Sequence, residues 1–513
     1  MELELQKEHF DCYLAGTPLC EKREETAETI VPDYSPDISR IVDVSACLLV
    51  REQSVSDGKL TVSGAVKLSL LYMTEDAPGL RAMEYAVPFE HTLDGRFSDA
   101  DGETAVEGRV CGAEARLLNP RKIFTKLELL WRATPYRKSE LVVCGGIEEQ
   151  EKYAIETLCE QHKVSLIAAA GAKDFLFSDE LTLPGGREAI RELLCHRVKL
   201  RVTESRSVGS KIVVKGVVCL SLLYRSDEEK LCSYAEELPF SQIFDGVEGE
   251  NDAAAAAVTL LLRDCEVHIG AEGVSGDGRT VSLRLLLSAF LTQRRTETVC
   301  CITDLYSTSY ALSAQLDPVE LQQEPEAQTL QQHVREQLDT GTEVQCVLSA
   351  DVCFGAITAQ TKGEQTTVRT TVSVKALYLD EAGIPFAVER RAELSAEAVL
   401  PDCARVDAEA VCNGDITANI NANGIELRFP ADFTLVSQGV VSCPCLTSLS
   451  AEEDGGSGAE APSLVLRGIE AGQQLWDVAK QYRTTVEDIL AANELTDGAD
   501  ALIGQMLLIP RKR

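Results

Sequence analysis

The 513-residue chain is short of basic residues, has no long apolar run and contains no C-x-x-C pair. Lys and Arg number 49 against 82 Asp and Glu, a formal net charge of −33. Phosphate backbones and anionic bilayers are held by clustered Lys and Arg, so this balance argues against nucleic acid or an anionic membrane as partner. The acid excess reads as a solubilising field. The Ala253–Leu262 run is ten residues long, about half of what a membrane span needs. The first residues, Met1-Glu2-Leu3-Glu4, carry acids where a secretory signal needs a basic start and an apolar core. The expectation is a protein that stays in the cytoplasm, where it is made.

The 18 cysteines are spread over the whole chain. The adjacent Cys300-Cys301 and the Cys443-Pro444-Cys445 pair lack a second half that would close a tetrahedral zinc site. Buried thiols are therefore expected, with no metal and no cofactor. The six histidines, His9, His91, His162, His196, His268 and His333, fall in no ligand spacing. His196 and His268 read as structural side chains of strands. Phosphate loops, dinucleotide fingerprints and nucleophile elbows are missing. Ser275-Gly276-Asp277-Gly278 reads as a hairpin turn, and the pair Asp33/Asp37 as turn residues rather than an acid–base couple. No catalytic residue is expected, and the chain reads as a non-enzyme.

What is present is a repeat. Leu60, Val62, Gly64, Val66, Leu68, Leu70 and Tyr72 alternate with mostly polar residues, the period of a half-buried strand. The pattern returns 152 residues later at Ile212, Val214, Gly216, Val218, Leu220, Leu222 and Tyr224, with LSLLY kept intact. It returns after a further 154 at Val368, Val372, Val374, Ala376 and Tyr378, with Thr366 and Thr370 completing the face. Flanking residues match as well: Val31-Pro32 with Leu183-Pro184, and Pro88-Phe89 with Pro239-Phe240. Each unit adds a second alternating stretch, Ile123–Trp131, Val281–Leu291 and Ile425–Leu435. A period near 150 residues is too long for a solenoid, so these are tandem domains at 1–155, 156–300 and 301–447. The third is the most diverged, and its Gln/Glu-rich lead-in, Leu321–Gln337, has no counterpart at this offset.

Residues 448–462 are read as an acidic Gly/Ser linker that lets the C-terminal unit move independently of the repeats. Residues 463–513 form that small unit, of order strand, helix, helix, strand. Val465–Glu470 reads as a strand, and Leu475, Val478, Ala479 and Tyr482 lie on one helix face. Thr485 and Asp488 resemble a capping box, which places a second helix at Val486–Ala492 with Ile489 and Leu490 inward. Met506–Ile509 closes the unit. Its six basic and seven acidic residues make it nearly neutral and leave −32 on the rest. The fold class is thus multidomain: three mainly-β tandem repeats followed by a small α+β (βααβ) unit.

The repeated LLY strand, its Pro-containing lead-in and the following Pro-Phe resemble the SPOCS domain of spore-forming bacteria. Asn119-Pro120-Arg121-Lys122 resembles the signature that opens its second half, kept in the first unit alone. The C-terminal unit resembles a LysM domain: Gly472-Gln473-Gln474-Leu475-Trp476 stands for Gly-Asp-Thr-Leu-Trp, Asn493 for the Asn after helix two, Ile503-Gly504-Gln505 for Pro-Gly-Gln, and Ile509-Pro510 for the terminal pair. The resemblance implies a partner- or glycan-binding groove of Gly472, Gln473, Gln474, Leu475, Asn493, Leu495, Ile503 and Gly504. Here Gln473-Gln474 replace Asp-Thr, and Arg467 takes the strand-one Tyr position; a glutamine is longer and crowds a groove shaped for a sugar edge. Trp476 lies off the apolar helix face, either as a protein-interface anchor or as a cap on the small core.

Tandem SPOCS-like domains ending in one LysM resemble spore-coat morphogenetic proteins. That resemblance implies a non-enzymatic scaffold in the mother-cell cytoplasm at the forespore surface, whose LysM domain binds the ATPase of the coat's basement layer while the repeats contact other coat proteins. The alternative it leaves is a wall-associated binder of peptidoglycan through N-acetylglucosamine.

Overall fold

The computed structural model describes residues 1–75, 79–97, 102–246, 256–270, 278–400, 405–453, 464–468, 474–495 and 506–510. The Ser275–Asp277 part of the expected hairpin turn and residues 454–462 of the expected linker lie outside them.

The first repeat comprises β1 (Leu5–Ala15), β2 (Leu19–Ile30), β3 (Ile38–Ser56), β4 (Lys59–Thr74), β5 (Arg81–Asp94), β6 (Gly102–Asn119) and β7 (Lys122–Ile147). The second comprises β8 (Ile155–Thr182), β9 (Ile190–Val208), β10 (Lys211–Ser226), β11 (Leu231–Asp245), β12 (Ala256–Ile269) and β13 (Thr280–Ser307). The third comprises β14 (Tyr310–Gln322), β15 (Glu326–Leu338), β16 (Val344–Lys362), β17 (Gln365–Asp380), β18 (Pro385–Val399), β19 (Arg405–Val411), β20 (Thr417–Asn421), β21 (Gly424–Gln438) and β22 (Val440–Glu453). β9 and β10 begin 152 residues after β3 and β4, and β16 and β17 a further 154 on, the period read from sequence.

Each repeat is a sandwich. One sheet is the meander β3-β4-β5, β9-β10-β11 or β16-β17-β18. Its middle strand turns the alternating apolar face onto the second alternating stretch: Val62, Val66, Leu68 and Tyr72 meet Ile123, Leu127, Leu129 and Trp131. The equivalent strands β10 and β13 meet in the second repeat, β17 and β21 in the third. Gly64 and Gly216 sit on that face because the neighbouring strand crowds them: a Cβ would lie 2.1 Å from the Leu49 carbonyl oxygen and 2.5 Å from that of Arg201, respectively. In the third repeat a wider break in register, between Phe354 and Ile357, makes room for Thr370.

The strands of the second sheet run on beyond the sandwich. β2 covers the first half of β7 (Leu19 opposite Ala133), and β1 covers the second half (Ala15 opposite Tyr136 to Leu5 opposite Ile147). In the second repeat one unbroken strand, β8, takes the place of both against β13; in the third, β15 covers β21 and β14 covers β22. The overhanging halves form three ribbons, which share a core of Leu3, Cys12, Val143, Val164, Val299, Ile302, Cys443, Leu446 and Leu449 among others. β1 also bridges to β8 at Tyr13 and Ile167, so strands of the first two repeats join in one seven-stranded sheet.

This arrangement corrects three expectations. The boundary at 300 cuts through β13, because its inward face (Val299, Cys301, Ile302) is needed in the stem. The linker does not begin at 448: residues to Glu453 pair with Tyr310–Gln315, and Leu449 and Ala451 are buried. The Leu321–Gln337 lead-in has a counterpart after all, since β15 takes the place of β2, whose Cys20–Glu28 stretch is equally polar.

The sandwiches also meet one another. Val42, Leu194 and Leu348 occupy equivalent positions, as do Leu71, Leu223 and Leu377, and all six lie in one apolar cluster. Beside it, Asp43 of the first repeat is buried between Arg197 of the second (3.2 Å) and Lys375 of the third. Lys199 pairs with Asp351. Burial pushes the Asp351 carboxyl up, but Lys199 and Arg197 outweigh it and hold the group below the usual range. A cavity of about 150 Å³ lies along this seam, and Arg197, Lys199, Asp351 and Lys375 on its lining are all engaged in these ion pairs.

Candidate binding site

The C-terminal unit pairs β23 (Leu464–Gly468) with β24 (Met506–Pro510) and packs α1 (Leu475–Tyr482) and α2 (Val486–Ala492) on one face of that ribbon. α1 starts at Gln474, whose backbone N–H donates to Asp477 Oδ2 at 3.4 Å, and ends at Arg483 in the left-handed conformation. Thr485 caps α2 by accepting the Asp488 N–H at 3.0 Å, as its spacing predicts. Val478, Ala479, Ile489, Leu507 and Ile509 are buried; Leu475, Tyr482 and Leu495 pack around them. Leu490 is half-buried.

Asn493 is consumed by the fold. Its amide donates to the carbonyls of Ile489 and Leu508, both at 2.7 Å, and accepts the Leu508 N–H at 2.8 Å, so it pins the end of α2 to β24. Arg467 is tied to Gln481 and to the Tyr482 hydroxyl. Of the groove residues implied by resemblance, Gln474 is exposed, Leu475 and Leu495 serve the small core, and Gly472, Gln473, Ile503 and Gly504 lie outside the described residues.

Trp476 faces the chain's own repeats. Its ring meets Tyr306 edge-on at 4.9 Å between centroids, and its indole N–H donates to Asp304 Oδ2 at 2.7 Å. Lys480 pairs with the other oxygen of Asp304, and the Tyr306 hydroxyl donates to the Thr484 carbonyl at 2.7 Å. Burial pushes the Asp304 carboxyl up, yet Lys480 and Trp476 hold it below its ordinary value; burial, more than any other cause, raises the Tyr306 phenol. The unit is therefore seated on the end of β13, not independent of the repeats. Sequence reasoning missed Asp304 and Tyr306, because nothing local to β13 signals a seat for residues some 170 positions away.

Among the described residues, nothing covers the opposite face of the ribbon. Leu464, Leu466 and Met506 are 53%, 58% and 58% exposed, and they share their face with Leu508 and Pro510. Together they form an apolar stripe on an otherwise hydrophilic unit.

In the repeats the conspicuous polar groups are structural. Trp131 Nε1–H donates to His91 Nδ1 at 2.8 Å, which leaves Nε2 as the donor to Glu25 at 2.8 Å. His196 is buried in β9, whereas His268 in β12 is exposed, contrary to a shared structural role. Arg121 of the Asn-Pro-Arg-Lys signature clamps the loop before β3, donating to the carbonyls of Ser35, Val31 and Pro32 and to Asp33 and Asp37. Arg279 stands in the same place in the second repeat, its carbonyl accepting from Leu183 as that of Arg121 accepts from Val31. Its flanks differ, so the signature did not reveal it.

Comparison with known families bears on both parts. The family described as SipL, SPOCS domain matches residues 37–110 and 189–270, and the LysM domain family matches residues 469–510. Curated proteins and solved structures return no match. The third repeat lies outside the matched segments but has the same meander. Among the described residues no helix is long and apolar enough to cross a membrane. The matched modules are non-catalytic binding domains, one associated with the sporulation coat and one of the peptidoglycan-binding type. The chain therefore carries SPOCS domains of the SipL type followed by a C-terminal LysM domain.

Proposed function

We propose that the chain is a non-enzymatic scaffold of spore-coat assembly, working in the mother cell at the forespore surface, and that its LysM domain binds a protein, the ATPase of the coat's basement layer. The observation that carries this reading is the exposed stripe of Leu464, Leu466 and Met506. Apolar side chains of this size on a small ribbon suit a protein surface; sugar edges are held by hydrogen-bonding groups. The Asn493 amide, one such group in the implied groove, is already engaged within the domain. The repeats, locked together by the seam and the stem, supply a stiff platform with several faces for other coat proteins, and several weak contacts on one chain give avidity on a repeating surface.

The experiment is a direct comparison with the full chain. It should bind the purified coat ATPase and stay in the supernatant when purified peptidoglycan is sedimented. Sedimentation with peptidoglycan and no binding to the ATPase would replace this reading with the wall-associated one.

A further inference from the structure

The Cys443-Pro444-Cys445 pair has its missing half elsewhere in the fold. The ligand atoms of Glu160 and His162 on β8 and of Cys443 on β22 all lie within 4.8 Å of one another. Glu160 and His162 are two residues apart on a strand and so share a face. Cys301 stands directly opposite Glu160 across the β8–β13 ladder, and its thiol meets those of Cys443 and Cys445. Cys443, Cys445 and Cys301 are at most 2% exposed. His162 Nε2 is buried without a hydrogen-bond partner, 3.4 Å from Glu160. The spot thus gathers an exposed carboxylate, a half-buried imidazole and buried thiols at the edge of a stem core that is otherwise largely hydrocarbon.

We propose that Glu160, His162 and Cys443 bind a divalent cation of the zinc class, which clips the second repeat to the third. A mixed set of sulfur, nitrogen and carboxylate oxygen is what such a borderline-soft ion takes, whereas calcium and magnesium take oxygen alone. Binding replaces the Cys443 thiol proton, which leaves to solvent, by the metal–sulfur bond. Cys301 lies beside the remaining coordination position. Burial, more than any other cause, raises the Cys443 thiol, against a hydrogen bond with Cys301 that lowers it. The clip closes a very long loop of chain and lies against Cys301, three residues before Asp304 on β13, so an occupied site would fix the strand end on which the LysM domain is seated.

The test uses the full-length chain, reduced, stripped with a chelator and titrated with Co2+ and then Zn2+. One equivalent of Co2+ should give a thiolate charge-transfer band that one equivalent of Zn2+ abolishes, and Zn2+ should raise the melting temperature. The band should vanish in C443S and the bound equivalent should be lost in H162Q. E160Q should weaken Zn2+ binding about tenfold or more. Since Cys443 is buried, H162Q and E160Q, at a half-buried and an exposed position, keep the test valid if C443S misfolds. The proposal is overturned if the reduced chain takes up no stoichiometric metal, or if folded C443S or H162Q binds Co2+ as the wild type does.

Discussion

The three repeats meet in two places that are built on opposite principles. At the seam between sandwiches, a buried Asp43 pairs with the partly buried Arg197 and Lys375, and Lys199 pairs with Asp351, beside a small apolar cluster. In the stem, the ribbons share a broad core of aliphatic residues and thiols. A hydrocarbon core supplies stability but accepts many arrangements, whereas buried charges are costly unless each finds its partner. The seam charges also occupy equivalent positions with unlike residues. Ser45, Arg197 and Asp351 correspond by the 152- and 154-residue steps, and only one order of the repeats sets Arg197 against Asp43. The seam therefore specifies the arrangement, and the stem stabilises it.

Substitutions should separate these roles. D43A leaves the partly buried Arg197 and Lys375 without their buried carboxylate and should cost about 3–5 kcal/mol, read by denaturant unfolding. Because each sandwich keeps its own core, the transition should also broaden. I302A empties a fully buried stem position and should cost about 3 kcal/mol while the transition stays cooperative. If D43A proves neutral and I302A broadens the transition instead, the division of labour is reversed. W476A removes the ring that meets Tyr306 edge-on and should release the LysM domain at a cost of about 2 kcal/mol, visible as faster proteolysis between the repeats and the domain, whose own fold persists. Acid should give the smallest effect. The Asp304 carboxyl is held below its ordinary value of 3.8, so its contribution to docking is complete above that pH and fades as pH falls through the lowered native value. D304N should dock weakly at neutral pH and lose this dependence.

The sandwiches were legible because their signal is local. Period-two alternation at Leu60–Tyr72 and its two echoes marks the middle strand of each meander, and Ile123–Trp131, Val281–Leu291 and Ile425–Leu435 mark the strands they face. The LysM helices were legible for the same reason, through the Leu475/Val478/Ala479 face and the Thr485 cap. The stem was not. β8 and β13 each serve both a sandwich and the stem, and past Ala169 a shift in register changes which side chains of β8 point inward. The seat of Trp476 and the company of Cys443 depend on contacts between segments far apart in sequence, which periodicity does not carry.

In the function proposed above, the LysM domain recognises protein through the exposed ribbon face of Leu464, Leu466 and Met506. The most direct measurement is the affinity of the full chain for the purified coat ATPase, wild type against the double variant L466S/M506S. Recognition through this face predicts at least a tenfold loss with the melting temperature unchanged, since both side chains are exposed. Undiminished binding by the double variant would contradict it.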